Sequence, residues 1–220
     1  MLEVLYEDNH LIAINKKPGD IVQADKTEDA PLSDFVKAFI KHKYNKPGDV
    51  FLGTIHRLDR PTSGVVLFAK TSKALSRMNE QFKNKEVQKT YWAVVDNAPA
   101  NSFGTLDNCL QKNEKENKSY ITKAGQGKQA VLDYKLLKKL DNFYLLEIKP
   151  KTGRHHQIRV QLANIGCIIK GDLKYGAKRS NKDASIHLLA QKLEFIHPVT
   201  KQAITIIAPA PKESVWEACL

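Results

Sequence analysis

A single carboxylate, Asp59, stands between two arginines, Arg57 and Arg60, and shortly precedes the apolar stretch 65–69. Nearby cations favour the ionised form of a carboxylate. Proline and glycine residues after Asp59 give the segment turn chemistry, so we expect the acid to lie on a rigid bend before a buried strand. An ionised carboxylate held in this way can act as a nucleophile or as a general base.

Two later segments place further chemistry-bearing side chains at fixed points of predicted elements. Residues 89–95 alternate in polarity, which predicts a strand with Tyr91 on its apolar face. Residues 158–165 repeat apolar side chains at helical spacing, and Gly166 follows in the usual C-terminal position of a helix. Arg159 borders this apolar stripe, so it can be partly buried and still extend toward a cleft.

The run His56–Gly64 resembles the signature of the RluA family of pseudouridine synthases, which convert chosen uridines in RNA to the carbon-linked isomer. Lys89–Val94 and Thr152–Arg159 resemble two further motifs of this family, and the resemblance covers nearly the whole chain. Three ordered motifs at these separations are more specific than any one of them. Lesser matches are Asn15–Gly19, Gly171-Asp172 and Tyr175-Gly176.

The resemblance implies catalytic roles for three side chains. Asp59 matches the catalytic acid, and Arg159 falls at the position whose guanidinium pairs with that acid. Tyr91 corresponds to the tyrosine that packs on the target base and assists later proton removal. The route of the acid stays open between attack on the anomeric carbon, addition to the uracil ring and help in removing a sugar proton.

Each role has a plainer structural alternative. Asp59 alone would be interpreted as a turn aspartate paired with Arg57 or Arg60. Tyr91 would be a core tyrosine in a strand, and Arg159 would be an exposed helix arginine on a basic protein.

Seven polar side chains of the motifs are expected to contact RNA: His56, Arg57, Arg60, Lys89, Arg154, His156 and Gln157. By resemblance, Arg57 enters the space left when the target nucleotide turns out of its stack. Arg154 and His156 lie near a predicted helix start and suit either phosphate contact or bracing of the active-site loop. Gly153 is expected to supply a backbone conformation that other residues resist.

No cofactor and no metal are expected. The isomerisation consumes no external reagent. His155 and His156 suggest metal ligands, but adjacent histidines project in different directions on a helix, and no carboxylate or cysteine joins them at ligand spacing. The three cysteines are widely spaced and lack a Cys-x-x-Cys pair, which argues against a disulfide framework or a zinc ribbon.

The charge of the chain suits a polyanionic partner. It has 35 Lys and Arg residues against 24 Asp and Glu, a formal net charge of +11, although many basic proteins are charged only to stay soluble. The expected partner is a stem-loop of ribosomal or transfer RNA, with no obligatory protein partner and no membrane. Because the N-terminus lacks a signal-peptide pattern and no apolar run approaches ~20 residues, we expect a cytoplasmic protein.

The predicted fold is a single α+β catalytic domain over residues 1–220. The order of elements favours a mixed, mostly antiparallel sheet with flanking helices over a doubly wound fold, and the resemblance adds that this sheet is curved and crossed by a central cleft. A hairpin near residues 4–14 precedes an amphipathic helix at 32–40, whose apolar stripe comprises Leu32, Phe35, Val36, Phe39 and Ile40. Thr71 or Ser72 can cap a second helix. Residues 97–130 form a polar excursion, which is either a solvated hairpin or loop or an arm that touches RNA phosphates.

Departures from the family pattern concern local packing and substrate fit. Gln161 stands where a histidine is common, and Cys167-Ile168 replace a frequent His-Pro. We also expect no separate N-terminal RNA-binding domain of the kind that many relatives carry. Two alternative functions stay open: a non-catalytic RNA-binding relative, and a carboxylate-dependent nucleoside or glycan hydrolase, although the latter usually needs a second catalytic carboxylate.

Overall fold

The computed structural model describes residues 2–24 and 29–220, and the chain divides into two compact units. The first unit comprises Met1–Gln88 with Ala190–Pro209, and the second comprises Lys89–Leu189 with Ala210–Leu220. Both contain antiparallel strands and short helices, which confirms the α+β prediction. That the units act as one catalytic domain over residues 1–220 stays a prediction.

The elements follow one another in mixed order along the chain. The strands are β1 Val4–Glu7, β2 Leu11–Lys16, β3 Gly53–Thr54, β4 Ser63–Ala69, β5 Gln88–Val95, β6 Phe103–Asn113, β7 Lys118–Thr122, β8 Lys128–Lys139, β9 Tyr144–Pro150, β10 Leu188–Ile196 and β11 Ala203–Ile207. The helices are α1 Leu32–Lys43, α2 Ser72–Lys83, α3 Gln157–Asn164 and α4 Ser214–Cys219, with a 3₁₀ turn at Leu173–Tyr175.

The sheet of the first unit is built on the predicted hairpin. Strand β2 pairs antiparallel with both β1 and β4, and β10 pairs with β11. Helix α1 packs against this sheet through Leu32, Val36 and Ile40, three members of the predicted apolar stripe. Phe35, a fourth member, is 57% exposed, so the buried stripe is narrower than the sequence indicates.

Helix α2 begins where the sequence places its cap. The Thr71 hydroxyl accepts a hydrogen bond from the Ala74 N–H at 3.2 Å, which satisfies one free donor of the first turn. Met78 is fully buried on the inner face of the helix. The preceding strand β4 is buried along its whole length, as predicted for the apolar run after Asp59.

The second unit has the strand order β5-β9-β8-β6-β7, with antiparallel pairs throughout. Helix α3 contributes Ile158 and Leu162 to its main core. The polar stretch 97–130 contains β6 and β7, which pair as an antiparallel hairpin, and whether this hairpin touches RNA stays a prediction. The hairpin is part of the sheet because β6 also pairs with β8, and its Leu110 packs in a second small core with Val160.

Across the residues that the structure describes, none of the helices combines the length and apolarity that a membrane crossing requires.

Candidate active site

Asp59 lies on a closed turn, as the sequence predicts. The Thr62 N–H donates to the Asp59 carbonyl at 3.0 Å, and the Gly19 N–H donates to the Arg60 carbonyl at 2.9 Å. The Asp59 side chain is half-buried at this bend. Gly64 ends the motif with φ +113°, and a Cβ there would lie 2.3 Å from the Ala190 carbonyl oxygen, so only glycine fits.

A buried lysine holds this turn in place by hydrogen bonds to its carbonyl oxygens. Lys16 is 1% exposed, and its Nζ donates to the carbonyl oxygens of Lys17, Arg60 and Thr62 at 2.9, 3.0 and 2.7 Å. Burial lowers the pKa of Lys16 to about 8, although nearby acids act in the opposite direction. Sequence reasoning noted the Asn15–Gly19 match without giving this lysine a role. The available signal was a lysine at the end of an apolar strand, two residues before the proline of that match.

We expect Lys16→Met to lower the free energy of unfolding by about 1–3 kcal/mol, because three carbonyl oxygens lose their charged donor. The pKa of about 8 in the folded chain lies below the ordinary value of 10.5. Between these values the unfolded chain binds more protons than the folded chain, so the contribution of Lys16 to stability rises with pH. In denaturant unfolding from pH 7 to 10, the difference in free energy of unfolding between wild type and variant should therefore increase with pH.

Lys37→Met is the control for this comparison, because the partly exposed Lys37 forms an ion pair with the exposed Asp34. The difference in free energy of unfolding between Lys37→Met and wild type should be small and independent of pH over the same range. A flat difference for Lys16→Met would contradict the lowered pKa of the buried Lys16.

The side chains that flank the turn differ in exposure. Arg57 and Arg60 are exposed, and Arg60 forms a surface ion pair with Asp29 at 2.8 Å. His56 accepts the Leu67 N–H at 3.1 Å through Nε2 and therefore braces strand β4. The arginines stay candidates for RNA contact.

Arg159 is buried, so its interpretation as an exposed helix arginine is wrong. It is 5% exposed, and its Nε and Nη2 donate to the two carboxylate oxygens of Asp172 at 2.7 and 2.8 Å. The Tyr175 ring lies beside it, with 5.1 Å between Cζ and the ring centroid. The pairing of Arg159 with Asp59 stays a prediction.

The loop before α3 is braced by its own side chains. The Gln157 amide oxygen accepts from the Thr152 hydroxyl at 2.7 Å and from the Arg154 N–H at 3.0 Å, while its nitrogen donates to the Val131 carbonyl. Gln157 and His156 are 4% and 8% exposed. This burial argues against direct RNA contact by either side chain and favours the bracing role.

The unusual backbone of this loop lies at His156 and not at Gly153. His156 has φ 53°, in the left-handed region, and caps α3 from that conformation. The space beside Gly153 would admit a Cβ, whose nearest neighbour outside the adjoining residues is the Lys89 Nζ at 3.8 Å, and no left-handed φ is required there. The special conformation predicted for Gly153 is therefore wrong.

The two adjacent histidines stack on each other, contrary to the prediction that they diverge. Their ring centroids lie 3.8 Å apart because His156 precedes the helix and has left-handed backbone angles. Burial, with the charge of Arg159, lowers the pKa of His156 to about 2, so the ring is neutral. Within residues 2–24 and 29–220, no three His, Cys, Asp or Glu side chains cluster as a metal site would require.

Tyr91 and Lys89 lie on strand β5 of the second unit. Tyr91 is half-buried and packs against the core cluster that contains Ala93 and Ile148. Burial lowers the pKa of Lys89, whose ammonium group lies beside Gly153 of the third motif. Arg154 is exposed and donates from Nε to the Gln129 carbonyl at 2.9 Å. The second and third motifs thus meet within one unit.

Known proteins are similar to this chain in sequence and in fold. The chain is 35% identical over 239 residues to the tRNA pseudouridine synthase C of Vibrio vulnificus, which covers 99% of this chain and 93% of that protein. It is 32% identical over 225 residues to the ribosomal large subunit pseudouridine synthase D of Xylella fastidiosa, which covers 96% and 67% of the two proteins.

Among solved structures, human RNA pseudouridylate synthase domain containing 4 superposes with a TM-score of 0.80 at 24% identity, over 97% of this chain and 90% of that one. This confirms the predicted pseudouridine synthase fold. A family model described as RNA pseudouridylate synthase matches residues 10–164, which decides against the hydrolase alternative. The chain therefore belongs to the RluA-type RNA pseudouridine synthases, isomerases that convert uridine in RNA to pseudouridine.

Proposed function

We propose that this enzyme modifies specific uridines in structured ribosomal or transfer RNA, with Asp59 as its catalytic group. The observation that carries this assignment is the turn at Asp59, which the buried Lys16 and the Gly19 N–H hold in place. A fixed turn presents a half-buried carboxylate with little freedom, as a group that must meet a nucleoside requires. Relatives named for transfer RNA and for ribosomal RNA match at similar identity, which supports both RNA classes.

The reaction is an internal rearrangement of one nucleotide. The bond between N1 of uracil and C1′ of ribose breaks, the base turns, and a bond forms between C5 and C1′. C5 then loses its proton and N1 gains one, so atoms and electrons balance without a co-reactant. Asp59 would start this sequence by one of the three routes open to a carboxylate, and we assign no cofactor.

We assign Arg159 the role of holding the Asp59 carboxylate ionised and oriented. Its support is the family motif, together with a guanidinium that Asp172 already holds in one plane. A planar fork can bind two carboxylates through different edges, each with two parallel hydrogen bonds, and an ammonium group does not offer this bidentate geometry. Tyr91 would stack on the target base, an interaction worth about 1–3 kcal/mol in nucleic-acid sites, and its hydroxyl would assist the removal of the C5 proton.

RNA binding is assigned to the exposed cations of the motifs. Arg57, Arg60 and Arg154 are exposed, and Lys89 is half-buried beside the third motif. Arg57 would fill the gap left by the extruded nucleotide. The buried or bonded His56, His156 and Gln157 would brace these contacts. A cytoplasmic location and the lack of an obligatory protein partner stay predictions.

We expect a uridine in a stem-loop to be modified faster than the same sequence held in a duplex, because extruding a paired base costs a few kcal/mol. Affinity should also fall with salt, with a slope of about −0.7 per neutralised phosphate on single strands. Single-turnover rates on matched loop and duplex RNAs, and binding titrations from about 50 to 200 mM salt, measure both effects.

The control for the salt series is Arg57→Gln, which should lower the slope by about one contact. Equal rates on loop and duplex, or an affinity indifferent to salt, would contradict this account of substrate recognition.

The RNA itself can be identified by mapping pseudouridines in a strain that lacks this gene. One or a few sites should revert to uridine in ribosomal or transfer RNA, and the wild-type gene should restore them. An Asp59→Asn gene should not. An unchanged pseudouridine map in the deletion strain would overturn the proposed substrates.

A further inference from the structure

Two side chains of the second unit lie close to Arg159, and the family resemblance assigns a role to neither of them. We propose that Asp172 and Tyr175 are positioning residues for the isomerisation, which act by holding the Arg159 guanidinium in one orientation. This inference rests on the proposed role of Arg159.

Asp172 fixes both the plane and the rotation of the guanidinium. It accepts two hydrogen bonds, from Nε at 2.7 Å and from Nη2 at 2.8 Å, a side-on bidentate pair. Both carboxylate oxygens are thus engaged by Arg159, and Asp172 is 1% exposed. Asp172 is therefore suited to act through Arg159 and not to touch the substrate itself.

The backbone around Asp172 is fixed as well. The Asp172 carbonyl accepts the N–H groups of Tyr175 and Ala177 at 3.1 and 3.0 Å, which closes the 3₁₀ turn. Gly171 has φ +86°, and a Cβ there would lie 2.8 Å from the Ser185 carbonyl oxygen. Gly171 therefore permits the tight turn, and the turn places the Asp172 carboxylate against Arg159.

Tyr175 supports the guanidinium with its ring. The distance of 5.1 Å from Arg159 Cζ to the ring centroid is within the range of a cation–π contact. The hydroxyl accepts the Ser119 N–H at 2.9 Å, lies 2.9 Å from His156 Nδ1 and lies 3.2 Å from the Ser119 carbonyl. When Nδ1 carries the proton of the neutral imidazole, the hydroxyl accepts from Nδ1 and from the Ser119 N–H and donates to the Ser119 carbonyl. Each of these polar groups then has a hydrogen-bond partner. The Tyr175 ring therefore contacts Arg159, whereas its hydroxyl bonds to Ser119 and His156.

The first test is Asp172→Asn, measured by tritium release from RNA that carries 5-³H-uridine. An amide can keep one of the two bonds but presents N–H groups to the other donor, so the guanidinium should lose its orientation. We expect kcat to fall about 100-fold, the scale of a small misplacement of a catalytic group, with RNA affinity unchanged. Asp183→Asn is the matched control, since Asp183 is an exposed acid of the same unit that bonds only to nearby Ser185 among the contacts described for it.

A double-mutant cycle separates positioning from general destabilisation. In an Arg159→Met background, Asp172→Asn should cause less than about a 3-fold further loss, because Asp172 acts only through Arg159. The full 100-fold loss in that background would overturn the inference. So would wild-type kcat in a folded Asp172→Asn enzyme.

The Tyr175 variants keep the test decisive if Asp172→Asn does not fold. Tyr175→Phe keeps the ring and loses the hydroxyl bonds, so it should unfold at lower temperature with kcat within about 3-fold of wild type. Tyr175→Leu loses the ring and should lower kcat about 10-fold at unchanged RNA affinity. Equal kcat in the two variants would overturn the role of the ring.

These results are distinguishable from a failure of the proposed function. An active wild type, an inactive Asp59→Asn enzyme and fully active Asp172 and Tyr175 variants would overturn the positioning roles alone. Full activity of Asp59→Asn would instead overturn the catalytic assignment.

Discussion

Asp59→Asn is expected to lower kcat by on the order of 10⁴-fold or more, the scale on which enzymes lose rate when a central catalytic group is removed. The amide keeps the shape of the side chain but loses its charge, its nucleophilicity and its capacity to accept a proton. Affinity for RNA should stay near that of wild type, because we assign the phosphate contacts to exposed cations and not to Asp59. Single-turnover tritium release and a binding titration with the same RNA measure the two quantities separately.

Asp34→Asn provides the matched control. Asp34 lies in the first turn of α1, where it is exposed and pairs with Lys37 on the surface. The same chemical change at this position should leave both kcat and RNA affinity at wild-type values. Wild-type turnover by Asp59→Asn would remove Asp59 from the reaction.

Arg159→Lys is expected to lower kcat by about 100-fold or more although the positive charge is kept. The Arg159 fork donates to both oxygens of Asp172 at the same time, whereas a lysine ammonium is a single point on a flexible stem. The lysine enzyme should therefore hold neither Asp172 nor Asp59 in place. Steady-state kinetics should show the loss in kcat and little change in KM.

Arg77→Lys controls for the loss of a guanidinium as such, because the half-buried Arg77 donates to the Pro198 carbonyl within the first unit. It should keep full activity. Arg159→Met should be at least as impaired as Arg159→Lys. Normal turnover by Arg159→Lys would place Arg159 outside the active site.

Local patterns predicted much of the fold from the sequence. The polarity of residues 4–14 predicted the first hairpin, and the helical spacing of apolar residues predicted α1 and α3. The cap of the second helix was expected at Thr71 or Ser72 because a capping hydroxyl and the first turn lie close in the chain, and the structure has it at Thr71. These features depend on neighbours within a few residues, which is why a single sequence reveals them.

Features that depend on distant contacts or on unusual backbone angles were missed. Lys16 looks like a solvated lysine in the sequence, and only the packing of the Asp59 turn over it shows that it is buried. The side-on pair of Arg159 joins it to Asp172, 13 positions away along the chain. His156 takes the left-handed conformation that the sequence led us to expect at Gly153, because the loop is held by bonds to other strands.

Tritium release from 5-³H-uridine RNA by the purified protein, with a chelator present and no small molecule added, tests whether this chain isomerises uridine through Asp59 without a co-reactant. Wild-type protein should release one tritium for each pseudouridine that nucleoside analysis finds in the digested RNA, and Asp59→Asn should release none above background. Release that requires an added metal or cofactor, or equal release by the two proteins, would contradict this mechanism.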